Sequence, residues 1–278
     1  MTDRDREFPF TQKDFQFLAK TINERTGIVV SDEKFNMFYS RLSRRVRALK
    51  LSSFKEYCEL VKKDSDGKET IELTNAITTN LTAFFRENHH FEYLAQHVIP
   101  EMMQQNSDRK FRIWSAGCST GEEPYSLAMT IRESALATSH WNVDFLATDL
   151  DSNVVATSQQ GVYTMSRVEG ISKNRLKRFF MRGKGSQQGM VKVKPELTSM
   201  IEFGQLNLMD NWRVEQKDVI FCRNVIIYFN KETKTKLVNK YADSLKTGGY
   251  LFIGHSESLY KISDRFELVG NTVYRKIK

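Results

Sequence analysis

The sequence predicts an α/β protein: a seven-stranded Rossmann-like sheet, preceded by a small all-helical domain and carrying an inserted β-hairpin subdomain. Three observations support this. Phe111–Ser126 reads FRIWSAGCSTGEEPYS, in which an apolar run meets Gly117 and Gly121 and then opens an apolar-periodic stretch. That order of strand, glycine turn and helix start is how a doubly wound fold brings its backbone close to a nucleotide-like ligand. Six further strand-like runs follow, and the last two flank Gly270-Asn271 as a hairpin. Before residue 80 only helical periodicity is found.

With 278 residues the chain can bury a full core as one large domain or two unequal ones. Its 40% hydrophobic and 27% charged residues are those of a soluble globular protein. No apolar run approaches the ~20 residues of a membrane span. The charged start MTDRDREFPF has no signal-peptide core, so a cytoplasmic protein is expected. Cys58, Cys118 and Cys222 are scattered with no C-x-x-C pair, which argues against a disulfide framework and a zinc site. His89 and His90 are adjacent, but no carboxylate is spaced to complete a metal site with them, and no metal is expected. The formal charge of +8 implies an anionic partner without choosing among nucleic acid, lipid and acidic protein.

Residues 1–79 read as the helical domain. Thr11 and Asp14 form a capping start for a helix carrying Phe15, Leu18 and Ile22 until Gly27. A second helix is expected from Glu33 to Lys50, with Met37, Phe38, Leu42, Val46 and Leu49 on one stripe. Its other side carries Arg41, Arg44, Arg45 and Arg47, a basic face denser than solubility requires. Ser53 and Glu56 read as a capping box opening a third helix, and a fourth spans about Glu69–Thr79.

Residues 80–278 read as the α/β domain. At its entry Asn80–Arg86 reads NLTAFFR, and Arg86 beside two phenylalanines is partly desolvated and needs an anionic partner. A helix from Asn88 is expected to end near Pro100 or one turn beyond. The strand Val143–Asp149 ends in an acid, a type that accepts hydrogen bonds from ribose hydroxyls at this place in the fold. Further strands are expected at Ile201–Leu206, Asp218–Cys222, Tyr250–Gly254, Phe266–Val269 and Thr272–Lys276. Between the second and third sheet strands, at about residues 181–200, Gly183, Gly185 and Gly189 and the alternation of Val191 and Val193 with Lys192 and Lys194 read as the inserted hairpin. Its open basic edge suits an extended peptide added as a strand.

A sheet whose last strands pair antiparallel is common among S-adenosylmethionine-dependent methyltransferases. Gly117-x-x-x-Gly121 also departs from the G-x-G-x-x-G spacing of a dinucleotide turn.

The order and spacing of five motifs strongly resemble the CheR family, the chemoreceptor glutamate O-methyltransferases of bacterial chemotaxis. They are Asn80–Arg86, Ala116–Ser126, Ala147–Asp149, Asn207-Leu208 and Phe221–Phe229, and the resemblance covers nearly the whole chain. It implies S-adenosylmethionine as methyl donor, S-adenosylhomocysteine as product and no metal. It also implies a cofactor pocket lined by Asn80, Thr82, Arg86, Glu123, Asp149, Asn207, Leu208, Asn224 and Val225 beside the Gly117 turn, with Arg86 and Tyr228 nearest the transferred methyl. Family members that tether to a receptor's C-terminal pentapeptide carry a G-x-G-x-x-x-G hairpin. Gly183, Gly185 and Gly189 match it, and Arg182 and Lys192 are the expected basic contacts. Arg41, Arg44, Arg45 and Arg47 are then expected to dock on the receptor's acidic cytoplasmic helices. The expected enzyme is a monomer that meets the membrane only through its receptors and has no nucleic-acid partner.

Two other readings compete: a nucleic-acid methyltransferase, and a non-catalytic S-adenosylmethionine-binding adaptor. Amino-methylating enzymes of nucleic acid usually carry an Asn/Asp-Pro-Pro-aromatic motif where this chain has Cys222–Tyr228 without proline. The Asn80–Arg86 motif and Tyr228 speak against the adaptor.

Overall fold

The computed structural model describes residues 6–278, so the first half of the charged N-terminal run lies outside the described residues. They divide into two compact units: the residues through Thr79 together with Tyr228–Thr233, and Asn80–Ile227 together with Lys234–Lys278.

The first unit is built on α1 (Gln12–Thr26), α2 (Phe35–Ala48), α3 (Phe54–Lys62) and α4 (Lys68–Ile77). Thr11 accepts the Asp14 amide while Asp14 accepts that of Thr11, and Gly27 ends α1 at φ 73°. A 3₁₀ turn at Asp32–Lys34 takes up the expected start of α2. Ser53 accepts the Glu56 amide at α3, but the Glu56 carboxylate reaches one residue further back, to the Ser52 amide at 2.9 Å. The core is aromatic: Phe15, Phe38 and Phe54 are fully buried, each worth about 1.5–3 kcal/mol of transfer free energy. Val29 donates to the Tyr228 carbonyl at 2.9 Å, and Ile28 bridges Phe229, which draws Tyr228–Thr233 into this unit.

The second unit holds the seven-stranded sheet. Its strands are β1 (Lys110–Ala116), β2 (Asn142–Asp149), β6 (Ile201–Gln205), β7 (Lys217–Cys222), β8 (Leu245–Ile253), β9 (Phe266–Gly270) and β10 (Val273–Lys276), in the order β6-β2-β1-β7-β8-β10-β9. The first five are mutually parallel, and β10 pairs antiparallel with both neighbours. The chain leaves β1 toward β2 and β6 on one side and returns to β7 on the other. The carboxyl ends of β1 and β7 therefore flank the topological switch point, where doubly wound sheets hold their ligands.

Helices α5 (His89–Tyr93), α6 (Ile99–Gln105), α7 (Glu122–Glu133), α8 (Ser152–Gln160), α9 (Lys173–Phe179), α10 (Pro195–Thr198) and α11 (Lys231–Ser244) accompany these strands. The helix expected to end near Pro100 or one turn beyond it runs to Gln105. A π-turn at Leu94–Val98 restarts the hydrogen-bond ladder, so Pro100 falls in the first turn of α6, where a missing N–H is tolerated.

The hairpin expected at 181–200 forms from β4 (Phe180–Arg182) and β5 (Met190–Val193), but it is part of a larger sheet. β3 (Val162–Thr164) pairs on the other side of β5, giving the antiparallel order β3-β5-β4. With only three residues directly after the helix-ending Gly161, β3 shows no alternation to read.

Candidate active site

The turn after β1 is tied to the end of β2. Gly117 and Cys118 both donate their amides to the Thr148 carbonyl, at 2.8 and 2.9 Å. Gly117 stands at φ 121°, and a Cβ placed on it would lie 2.5 Å from Val225 Cγ2. The turn after β1 and the turn after β7 thus touch at a point only glycine permits. Ser119, at φ 48°, donates its amide to Asp149 Oδ2 at 2.8 Å, and the Asp151 amide meets Asp149 Oδ1 at 3.0 Å. Burial pushes the Asp149 carboxyl up to about 6 against these two amides. Asn80 joins the same cluster, its side-chain amide donating to Asp151 at 2.8 Å and its carbonyl accepting from Ser119 Oγ at 3.2 Å.

Arg86 lies on a tight turn. Its Nη1 donates to the Leu81 carbonyl at 2.8 Å, and its Nε lies 4.0 Å from Glu87 Oε1, with 31% of the side chain exposed. The anionic partner expected from its setting is therefore held only loosely within the chain. The flanking residues Phe85 and Glu87 sit at φ 53° and 56°. Phe84 is buried edge-on against Tyr163 and Phe180, while Thr82 is half-buried.

Behind these turns lies a buried ionic network. Arg223, directly after β7, donates to Glu123 Oε2 at 3.0 Å, pairs with Glu87 Oε2 at 3.1 Å and donates to the Arg86 carbonyl. Ser115 donates to the other oxygen of Glu123 at 2.8 Å. Burial raises the Glu123 carboxyl despite the Arg223 charge. Burial also works to raise Glu87, but the contacts with His255, 2.7 Å away, and Arg223 bring it down to about 2. Glu122 is fully buried and paired with Arg167.

The turn after β7 is fixed from below by Glu257. Its carboxylate accepts the amides of Asn224 (2.9 Å), Ile227 (3.1 Å) and Gly254 (2.6 Å), holding Asn224 at φ 60°. Asn207 and Leu208 follow β6. Asn207 Oδ1 accepts the Met209 amide, and the Leu208 carbonyl accepts from Trp212 Nε1 and Lys240 Nζ. Tyr228 belongs to the helical unit, where its carbonyl accepts the Val29 amide at 2.9 Å.

Around the switch point the structure thus brings together Asn80, Gly117, Asp149 and Val225, with Arg86 and Glu123 joined through Arg223. Sequence reading missed Arg223, Glu87 and Glu257. Arg223 was the one with a signal, a charge inside the apolar run Phe221–Phe229.

Three of the four arginines on the basic stripe of α2 have partners within the helical unit. Arg41 donates to the carbonyls of Ile77 and Thr78 at 2.6 and 2.7 Å and to Thr79, closing the end of α4. Arg45 makes a two-pronged pair with Glu69 at 2.9 and 2.6 Å, and Arg47 pairs with Glu7. Of the four, only Arg44 has no such partner among the described residues, and it is exposed. In the inserted sheet Arg182 and Lys192 are exposed, and β4 is paired on one side only. A Cβ on Gly183 would run into the Gln187 carbonyl, whereas Gly185 and Gly189 are needed for their φ of 57° and 86°. Among the described residues no helix is long and apolar enough to cross a membrane, and no group of three His, Cys, Asp or Glu is placed to hold a metal ion.

A parallel sheet closed by an antiparallel strand, with a glycine turn at the switch point and an acid ending the second strand, defines an S-adenosylmethionine-dependent methyltransferase. Residues 80–275 match the CheR methyltransferase SAM-binding domain and residues 13–78 match the CheR all-alpha domain, so the chain belongs to the CheR methyltransferase family. Among its relatives is chemotaxis protein methyltransferase 2 of Pseudomonas aeruginosa, 43% identical over 97% of this chain and 95% of that one. The chemotaxis protein methyltransferase of Salmonella typhimurium is 41% identical over 94% of this chain and 88% of its own length. That of Escherichia coli is 40% identical over 94% and 89%.

Proposed function

We propose that this protein methylates glutamate side chains of bacterial chemoreceptors in chemotactic adaptation, giving glutamate methyl esters and S-adenosylhomocysteine. The reading is carried by Arg86, a guanidinium beside the switch-point turns that spends one donor on the Leu81 carbonyl and lies 4.0 Å from its nearest carboxylate. It is free to hold a carboxylate that enters from outside, and its planar fork suits that task.

The cluster fits S-adenosylmethionine. Asp149 is held by two backbone amides, yet a carboxylate accepts about four hydrogen bonds, which leaves room for two hydroxyls. Bound there, S-adenosylmethionine supplies a methyl group made electrophilic by its positive sulfur. Asn80, Thr82, Asn207, Leu208, Asn224 and Val225 line the pocket beside the Gly117 turn. Glu123, whose oxygens are taken by Ser115 and Arg223, supports the pocket from behind.

The acceptor glutamate, with an ordinary pKa of about 4.3, is ionised at neutral pH and needs no general base. Arg86 holds a carboxylate, and exclusion of water from the nucleophile does the rest. In the cytoplasm, as a monomer, the enzyme meets the receptor's helical region through Arg44 and Arg47. Arg182 and Lys192 receive the receptor's C-terminal pentapeptide as a strand added along β4.

Transfer of labelled methyl from S-adenosylmethionine to a receptor cytoplasmic fragment, with RNA as the competing acceptor, tests this reading. Label is expected in the receptor fragment, and label in RNA alone overturns it. Because the Asp149 carboxyl titrates at about 6, S-adenosylhomocysteine affinity is present above that pH and lost below it. Calorimetry should show affinity falling about threefold to tenfold from pH 7 to 5, and Asp149→Asn should bind weakly with no such slope. Reversing both Arg44 and Arg47 to glutamate should raise the receptor KM about tenfold at low salt and leave S-adenosylhomocysteine affinity unchanged. A fall in cofactor affinity instead would assign these arginines to the fold.

A further inference from the structure

We propose that Arg223 is a positioning residue for methyl transfer, holding the strained turn at residues 84–88 that presents Arg86 and so acting through Arg86. This rests on the reading of Arg86 as the group that grips a carboxylate. The turn is unusual in placing two non-glycine residues, Phe85 at φ 53° and Glu87 at φ 56°, on either side of Arg86. A bulky side chain in the left-handed region persists only where its surroundings over-determine it, and such strain collects at functional sites.

The turn is held from two sides. On one, the Phe85 amide donates to Ser126 Oγ at 2.9 Å. The Phe85 ring meets Phe91 at 5.2 Å between centroids, and the Arg175 guanidinium lies 4.1 Å over it. On the other, Arg223 Nη2 donates to the carbonyl of Arg86 itself and pairs with the Glu87 carboxylate at 3.1 Å. Its Nη1 anchors to Glu123 Oε2 at 3.0 Å, on the first turn of α7. One guanidinium therefore joins the Asn80–Arg86 segment, the helix after the glycine turn and the end of β7.

Arg223 is 2% exposed at its side chain, and Phe91 packs against its guanidinium at 5.6 Å. Each Nη group is committed within the protein, and Nε is buried without a partner. Arg223 thus spends both of its Nη groups on fixing the protein. Lysine at this position keeps the charge but, as a point charge on a flexible stem, cannot span one carbonyl and two carboxylates.

The test is a double-mutant cycle with receptor fragment as acceptor, comparing wild type, Arg86→Ala, Arg223→Lys and the double variant. Arg223→Lys should lower kcat about 30-fold while the receptor KM and the Kd for S-adenosylhomocysteine stay within about threefold. In the Arg86→Ala background the same substitution should cost less than about twofold, because the residue it serves is already gone. A kcat within threefold of wild type for Arg223→Lys, or an equal loss in both backgrounds, overturns the inference. Near-normal activity of Arg86→Ala alone overturns instead the reading on which it rests. If Arg223→Lys does not fold, Ser126→Ala loosens the same turn from its other side. It should lower kcat about threefold to tenfold, again only where Arg86 is present, and unchanged or additive activity would overturn the proposal.

Discussion

Arg86→Ala should lower kcat for receptor methylation by about 10²–10³-fold or more, the scale on which loss of a preorganised charge is felt in a desolvated site. The protein should stay folded, because the Arg86 side chain donates only to the carbonyl of Leu81, five residues back in the same segment. The Arg86 backbone carbonyl, on which Arg223 depends, survives the substitution. Arg86→Lys should recover little, since an ammonium cannot reproduce a two-pronged grip on a carboxylate. Steady-state kinetics beside a thermal melt separate the two outcomes. Near-normal turnover in a folded Arg86→Ala protein removes Arg86 from the catalytic assignment.

Gly117→Ala should weaken S-adenosylhomocysteine binding by about 10- to 100-fold, for two separable reasons. At φ 121° an alanine is strained by roughly 1–3 kcal/mol. Its Cβ would also stand 2.5 Å from Val225 Cγ2, so one turn or the other must move. If the glycine turn moves, it draws the Gly117 and Cys118 amides off the Thr148 carbonyl and disturbs the Ser119 amide on Asp149. Val225→Ala in the same chain should restore the part due to the collision and leave the part due to φ. Calorimetric titration measures both. Unimpaired binding by Gly117→Ala would show that the cofactor does not depend on this turn.

The sheet and the turn were legible because their signals are local. β1 and β7 are short apolar runs buried along nearly their whole length, and Gly117 and Gly121 mark the turn directly in the sequence. Thr11 and Gly27 cap α1 where they were expected, each by contacts within a few residues. What stayed hidden was carried by long-range charge pairing. Arg223 meets Glu123 100 residues away and the Arg86 carbonyl 137 away, so in sequence each is only an isolated charge. The same cause hid the partners of the α2 arginines. These arginines have no acid among them in the sequence, but Glu69 and Glu7 come from elsewhere in the unit to pair with Arg45 and Arg47. Arg41 is spent on carbonyls at the end of α4, leaving fewer unpaired charges on that face than the sequence promises. β3 was hidden for a different reason, since three residues are too few to show a period.

The central claim, that an ionised glutamate takes the methyl group, is tested most directly by mass spectrometry of a receptor cytoplasmic fragment after incubation with the enzyme and S-adenosylmethionine. Peptides should gain one methyl group on a glutamate side chain, and mild base should remove it as expected of an ester. A base-stable methyl group on a nitrogen, or a fragment left unmodified by an enzyme that binds S-adenosylhomocysteine, would contradict the account.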